Sequence, residues 1–221
     1  MAHLLRFRTR LLGRLLGSLL LAGGCLLAAP APGQTAWLDA VVAEVDGSVI
    51  TASDVSLARA LSLFGLQPSV EPIRSDDIAR IVDAWLMVRE AARLRLEIAP
   101  DEEAAAWRGA AAHLGGEAAL TRWLKDSGID EAWARRAVTW DLLRRRFVEV
   151  RFRAFAFISE DQVSEELGRG DHGGAARDRV RAALVQAAVD RELSAWLQDL
   201  LSRSRIWRQS VPPEGLPVPF S

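Results

Sequence analysis

The chain has 221 residues, half of them hydrophobic and 26% charged, a composition that suits a globular fold with room for one domain or two. Its 28 basic and 29 acidic residues leave a net charge of −1, which makes it a poor general binder of nucleic acid. A single cysteine excludes an internal disulfide and a cysteine-built metal site.

The first 33 residues read as a secretory signal peptide. Arg6, Arg8, Arg10 and Arg14 form a basic stretch with no acid among them, an apolar run follows over residues 15–29, and "AAPAPG" closes it. The run is about 15 residues, short of the roughly 20 that span a bilayer, so export to the periplasm is expected. Cleavage after Gly33 leaves Ala31 and Gly33 at the two small-residue positions. The alternative is Cys25, whose preceding "LAGG" resembles a lipoprotein box with Ala22 where that pattern usually has Leu; lipidation there would anchor the protein to a membrane. Removing residues 1–33 leaves 24 basic residues against all 29 acidic ones, a net charge of −5 and no thiol.

A folded domain is expected over residues 37–209. Asp46-Gly47 is a preferred two-residue hairpin turn, with residues 41–45 and 48–50 as its arms. Thr51-x-x-Asp54 is a variant capping box that starts a helix, with Leu57, Ala60, Leu61 and Phe64 on one face and Gly65 at its stop. A Pro-containing loop, residues 67–74, leads to a helix opened by Ser75, Asp76 and Asp77. An alanine-rich helix is expected over 102–114, a short one over 117–125, and a long one from Ile129 to about Phe152 with Trp133, Ala137, Trp140, Leu143 and Phe147 on one side. Ser159-x-x-Gln162 caps a helix to Leu167. The glycine-rich "GRGDHGG" of residues 168–174 then separates it from a helix over 175–202. Residues 205–209 read as a strand, and Pro212, Pro213 and Pro217 mark a Pro-rich tail over 210–221.

A short hairpin is marginal alone. The economical fold is therefore mainly α, closed by a small β patch in which the N-terminal hairpin pairs with the C-terminal strand.

The chain offers little that reads as catalytic. After cleavage only His113 and His172 remain, and neither has a nucleophile or second ligand at a recognisable spacing, so both read as solvent-facing. There is no phosphate-binding loop, dinucleotide fingerprint, zinc-protease motif or nucleophile elbow, and no cofactor is implied. Asp101, Glu102 and Glu103 fit the positive end of a helix. Arg144, Arg145, Arg146, Arg151 and Arg153 form a basic strip, read as a solvated helix face. The eight tryptophans, with no tyrosine, are the odd feature. Most fall at core positions; Trp107 and Trp123, in alanine-rich surroundings, are the candidates for an exposed aromatic patch that binds extended apolar segments.

The order of these pieces resembles the SurA-type periplasmic chaperones. "VVAEVDGSVITASDV" looks like their opening hairpin and capped helix, "IVDAWLMVREAARLRLEIAPDEE" like their second helix and its restart, and "WLKDSGIDEAWARRAVTWDLLRRRFVEVRF" like their long helix. "AFISEDQVSEEL" is similar to the segment that closes the N-terminal module, and "RDRVRAALVQAAVDRELSAWLQDLLSRSRIWR" to the final helix and strand that complete its core. In that family one or two parvulin-type prolyl isomerase domains lie before the last helix. Here residues 168–174 occupy the slot, too few for a domain of about 100 residues. The resemblance implies a non-enzymatic periplasmic chaperone whose partners are unfolded or extended envelope proteins. The alternatives are an atypical prolyl isomerase and an envelope assembly scaffold with one fixed partner.

Overall fold

The structure, a computed structural model, describes residues 39–168 and 173–209. The expected signal peptide with Cys25, His172 and the Pro-rich tail lie outside the described residues. The fold is mainly α with a small three-stranded antiparallel sheet, ordered β2-β1-β3. β1 (Val41–Val45) and β2 (Ser48–Thr51) form the hairpin, with Asp46 at φ 50° and Gly47 at φ 88°, the left-handed pair that a tight two-residue turn requires. β3 (Ile206–Arg208) pairs with the other side of β1 in the register Val45 with Ile206 and Ala43 with Arg208.

Asp46 fastens this closure. Its N–H donates to the Arg205 carbonyl at 2.9 Å, its carboxylate accepts from the Arg205 N–H at 2.8 Å, and Arg89 pairs with the same carboxylate. At the other end of β3, the Gln209 N–H donates to the Val42 carbonyl at 2.9 Å. A register irregularity between Val41 and Ala43 coincides with the full burial of both Val42 and Ala43. Simple alternation would put one of them outside; a bulge turns both inward.

α1 (Ala52–Ala60) starts from the expected capping box: the Thr51 N–H donates to Asp54 at 2.7 Å, and the Thr51 hydroxyl accepts from the Asp54 N–H at 3.4 Å. It stops before Gly65, the stop the sequence suggested. Ser62 and Phe64 take left-handed backbone, at φ 54° and 57°, and the Phe64 N–H leaves the helix pattern to donate to the Asp141 carboxylate at 2.9 Å.

α2 (Ser75–Arg93) follows the loop over residues 67–74, which is pinned from within. Buried Arg59 donates to the Glu71 and Pro72 carbonyls, at 2.5 and 3.0 Å, and pairs with buried Asp77. Asp77 in turn accepts from the Arg74 N–H at 2.9 Å, capping α2.

α3 (Pro100–Ala112) begins at a proline, well placed because the first helical N–H has no intrahelical partner. α4 (Glu117–Asp126) follows, and α5 (Glu131–Arg151) is capped by Asp130, whose carboxylate accepts from the Trp133 N–H at 3.0 Å. After a short 3-10 turn at Arg153–Phe155, α6 (Glu160–Leu167) opens on the Ser159–Gln162 capping box. α7 (Gly174–Arg203) packs on α6, where Arg177 donates to Glu160 at 2.9 Å.

Two apolar clusters hold these elements. The larger joins β1, α1, α2, α3, α4 and α5 around fully enclosed Val45, Leu57, Leu61, Ile78 and Leu120. Each such side chain contributes about 1.5–3 kcal/mol on leaving water. The smaller seats α7: Phe147, Phe152 and Trp196 meet with ring centroids 5.0 to 5.9 Å apart, beside Met87 and Val189.

Candidate functional site

An apolar hollow lies where β2, α1, α2 and α5 meet. α2 and α5 pack along their lengths. Trp133 and Trp140 are seven residues, two turns, apart on α5, so both face α2. α2 answers with Trp85, whose ring meets Trp140 edge-on at 5.1 Å and 64°. Ala84 of α2 and Ala137 of α5 both line the space between the helices and are too small to fill it. What remains is a pocket of about 120 Å³, lined also by Phe64 and Leu57 and bordered by Val49 and Ile50 of β2. An apolar cavity of about 150 Å³ holds a benzene, so this one accepts a single aliphatic or aromatic group.

Its polar content is small. The Trp85 Nε1–H and Trp133 Nε1–H are buried with no hydrogen-bond partner among the described residues. A donor left unpaired this way costs about 1–3 kcal/mol, and neither nitrogen can be reached from the hollow. The one carboxylate in the lining is Asp54, already bonded to the Thr51 N–H. Burial pushes its pKa up to about 6; the Thr51 hydrogen bonds oppose the shift and nearby Asp39 adds to it. The pocket therefore offers mainly apolar enclosure.

The pocket is bordered by an edge strand of the sheet. β2 is an outer strand, and no described strand lies beyond it. Register places Trp207, Glu44 and Val49 in one row across the sheet, and Val49 and Trp207 are 54% and 52% exposed. An outer strand with an apolar face is a surface on which an extended chain can pair.

The aromatic patch expected at Trp107 and Trp123 does not form. Trp107 is only 4% exposed and carries the Arg135 guanidinium over its ring at 4.1 Å. Trp123 is half-buried against the main core. The physical reason is the alanines around Trp107: small neighbours let α3 approach α4 and α5 closely, and the indoles fill the gaps. Of the described tryptophans, it is Trp207 on β3 that is exposed. Cys25 falls outside the described residues.

The remaining candidates are tied up or outlying. Arg144 and Arg145 both bond buried Asp141, Arg146 bonds Glu102 at 2.8 Å, and Arg153 pairs with Glu149 at 2.9 Å, so much of the basic strip carries its own counter-charges. Glu103 accepts from the Thr139 hydroxyl at 2.8 Å, linking α3 to α5. His113 is exposed at the rim of a second, more polar hollow beside Leu61–Gly65 and Asp141. Among the described residues no three His, Cys, Asp or Glu side chains gather as a metal site would require.

Sequence reasoning placed Trp133 and Trp140 on one face of a helix but did not bring Trp85 to them. The seven-residue spacing was the available signal; the partner helix was not. A scan against protein-family models finds no match to the chain, and no curated protein matches it.

Proposed function

We propose that the protein is a non-enzymatic binder of unfolded or extended polypeptide segments, acting as a chaperone-like module in the periplasm on envelope and outer-membrane proteins. The observation that carries this reading is the indole-lined apolar pocket set beside β2, an outer strand with no described strand beyond it. An extended segment adding along β2 would satisfy strand backbone groups and drop one apolar side chain into the pocket, against the Trp85, Trp133 and Trp140 rings. A pocket for one side chain gives little sequence discrimination, which suits weak, reversible binding to many clients. The resemblance to SurA-type chaperones points the same way, and the absence of a parvulin domain in the 168–174 slot favours binding over isomerisation.

The test is light scattering during dilution of an unfolded outer-membrane protein. Suppression of aggregation at a few-fold molar excess is expected, with no acceleration of a proline-limited refolding reaction. Undiminished scattering at that excess would refute the reading.

A further inference from the structure

We propose that the second hollow, walled by α3, α5 and the loop over residues 61–65, is a binding site for a small organic monoanion: a carboxylate carried on a short apolar body. The anion's carboxylate meets the guanidiniums of Arg144 and Arg145, and its body lies on the apolar part of the wall. This site is independent of the client reading, which rests on the other hollow.

The charge of the wall is unbalanced. Its cations are Arg144 and Arg145, and its one carboxylate is Asp141, only 3% exposed. Asp141 accepts from the Phe64 N–H at 2.9 Å, from Arg144 Nε and Nη2 at 3.1 and 3.0 Å, and from Arg145 Nη2. One carboxylate thus answers two guanidiniums, and neither arginine pairs with another acid among the described residues. The α3 acids that reach α5 are engaged elsewhere, Glu102 with Arg146 and Glu103 with Thr139. One positive charge is left over, and a single carboxylate matches it. Guanidinium donors remain for that purpose, since each arginine carries several beyond those spent on Asp141. The Arg144 side chain is only 22% exposed, so its attraction for an anion is less screened by water than that of a surface charge.

The space suits a small ligand. The hollow is about 440 Å³, within the range of roughly 300–1,000 Å³ common to small-ligand sites. Buried Leu61, Leu63, Ala110 and Val138 supply its apolar surface. α3 turns Ala106, Gly109 and Ala110 toward it, a spacing that shares one helix face. Gly109 is the telling position. Glycine inside a helix is weaker than alanine, yet a Cβ at Gly109 would meet nothing within 4 Å. No close contact calls for glycine there, and its missing side chain keeps the hollow wide. The opposite wall is held in uncommon backbone: Ser62 and Phe64 are left-handed, at φ 54° and 57°, a region bulky residues avoid. The Phe64 N–H bond to Asp141 fixes that loop beside the two arginines, and backbone strain maintained in this way gathers at ligand sites.

The experiment is isothermal titration calorimetry of the full chain with 3-phenylpropionate and with its uncharged analogue, 3-phenylpropionamide. Saturable one-to-one binding of the acid is expected, with the amide at least tenfold weaker. Gly109→Leu adds a side chain to the hollow and leaves the arginines and Asp141 in place; it is expected to weaken the acid at least tenfold, with the urea midpoint unchanged or raised. Arg145→Gln leaves Asp141 bonded to Arg144 and to the Phe64 N–H, so the fold keeps its buried carboxylate paired; at least fivefold weaker binding is expected. Absence of saturable binding would overturn the proposal, as would equal affinity for acid and amide, which assigns the site to apolar burial alone. Binding undiminished in both variants would place the ligand elsewhere and also overturn it. Inorganic phosphate that binds as tightly as 3-phenylpropionate would do the same, showing a bare cationic surface with no use for an apolar body. The light-scattering assay is run without these anions, so its outcome and this one are read separately.

Discussion

Filling the pocket should strengthen the fold and weaken binding at once. Ala84 is buried on α2 and lines the hollow. Ala84→Leu adds three methylene-sized groups, at about 0.8 kcal/mol each, so roughly 2 kcal/mol if the hollow admits them. The ceiling comes from the cavity itself. At ~24 cal/mol per Å³, its volume of about 120 Å³ represents roughly 3 kcal/mol of forgone packing. Urea denaturation reads the first effect as a higher midpoint at unchanged slope. Light scattering with the unfolded client reads the second as a several-fold rise in the concentration needed for half-suppression. This opposition of stability and function is expected where a site is kept open for a ligand. A loss of 1–3 kcal/mol instead would be the signature of overpacking. It would mean that α2 and α5 already touch at this level, and the pocket argument would fall.

Two further outcomes follow from buried charges. Arg59→Met should destabilise by about 3–5 kcal/mol, because it strands the Asp77 carboxylate in the interior and leaves the Glu71 and Pro72 carbonyls without their donor. Thermal denaturation would show this as a fall in Tm of roughly 10 °C, and adding Asp77→Leu should recover part of it. A loss under about 1 kcal/mol would show the pair to be solvated. Asp54 gives a pH dependence. Its folded pKa of about 6 lies above the ordinary 3.8, so the folded state holds the proton more tightly than the unfolded one. Its contribution is fully present below about pH 4 and lost as pH rises through about 6, amounting to no more than roughly 3 kcal/mol. Asp46 and Glu160, held below their usual range mainly by hydrogen bonds from Arg89 and Arg177, contribute stability in the opposite sense, lost as pH falls. The comparison of wild type with Asp54→Asn between pH 4.5 and 7.5 isolates Asp54: wild type should lose stability relative to the variant, and parallel profiles would refute the assignment.

The sequence by itself determined what depends on neighbours a few residues apart. The Asp46-Gly47 turn, the Thr51–Asp54 and Ser159–Gln162 capping boxes, and the bounds of most helices to within two or three residues were legible in it. So was the closure of hairpin with C-terminal strand, since neither ribbon is stable alone. Where α1 ends was not, because the Phe64 N–H is taken by Asp141, 77 residues away. Nor was the burial of Trp107, which depends on how closely alanine-rich α3 approaches its neighbours. The pocket is tertiary altogether: Trp85 lies 48 residues from Trp133, and only the packing of α2 on α5 brings their indoles together and leaves two donors unmet. Hydrogen bonds within a turn of chain are written in the order of residues, whereas the space left between two helices depends on how their whole surfaces fit.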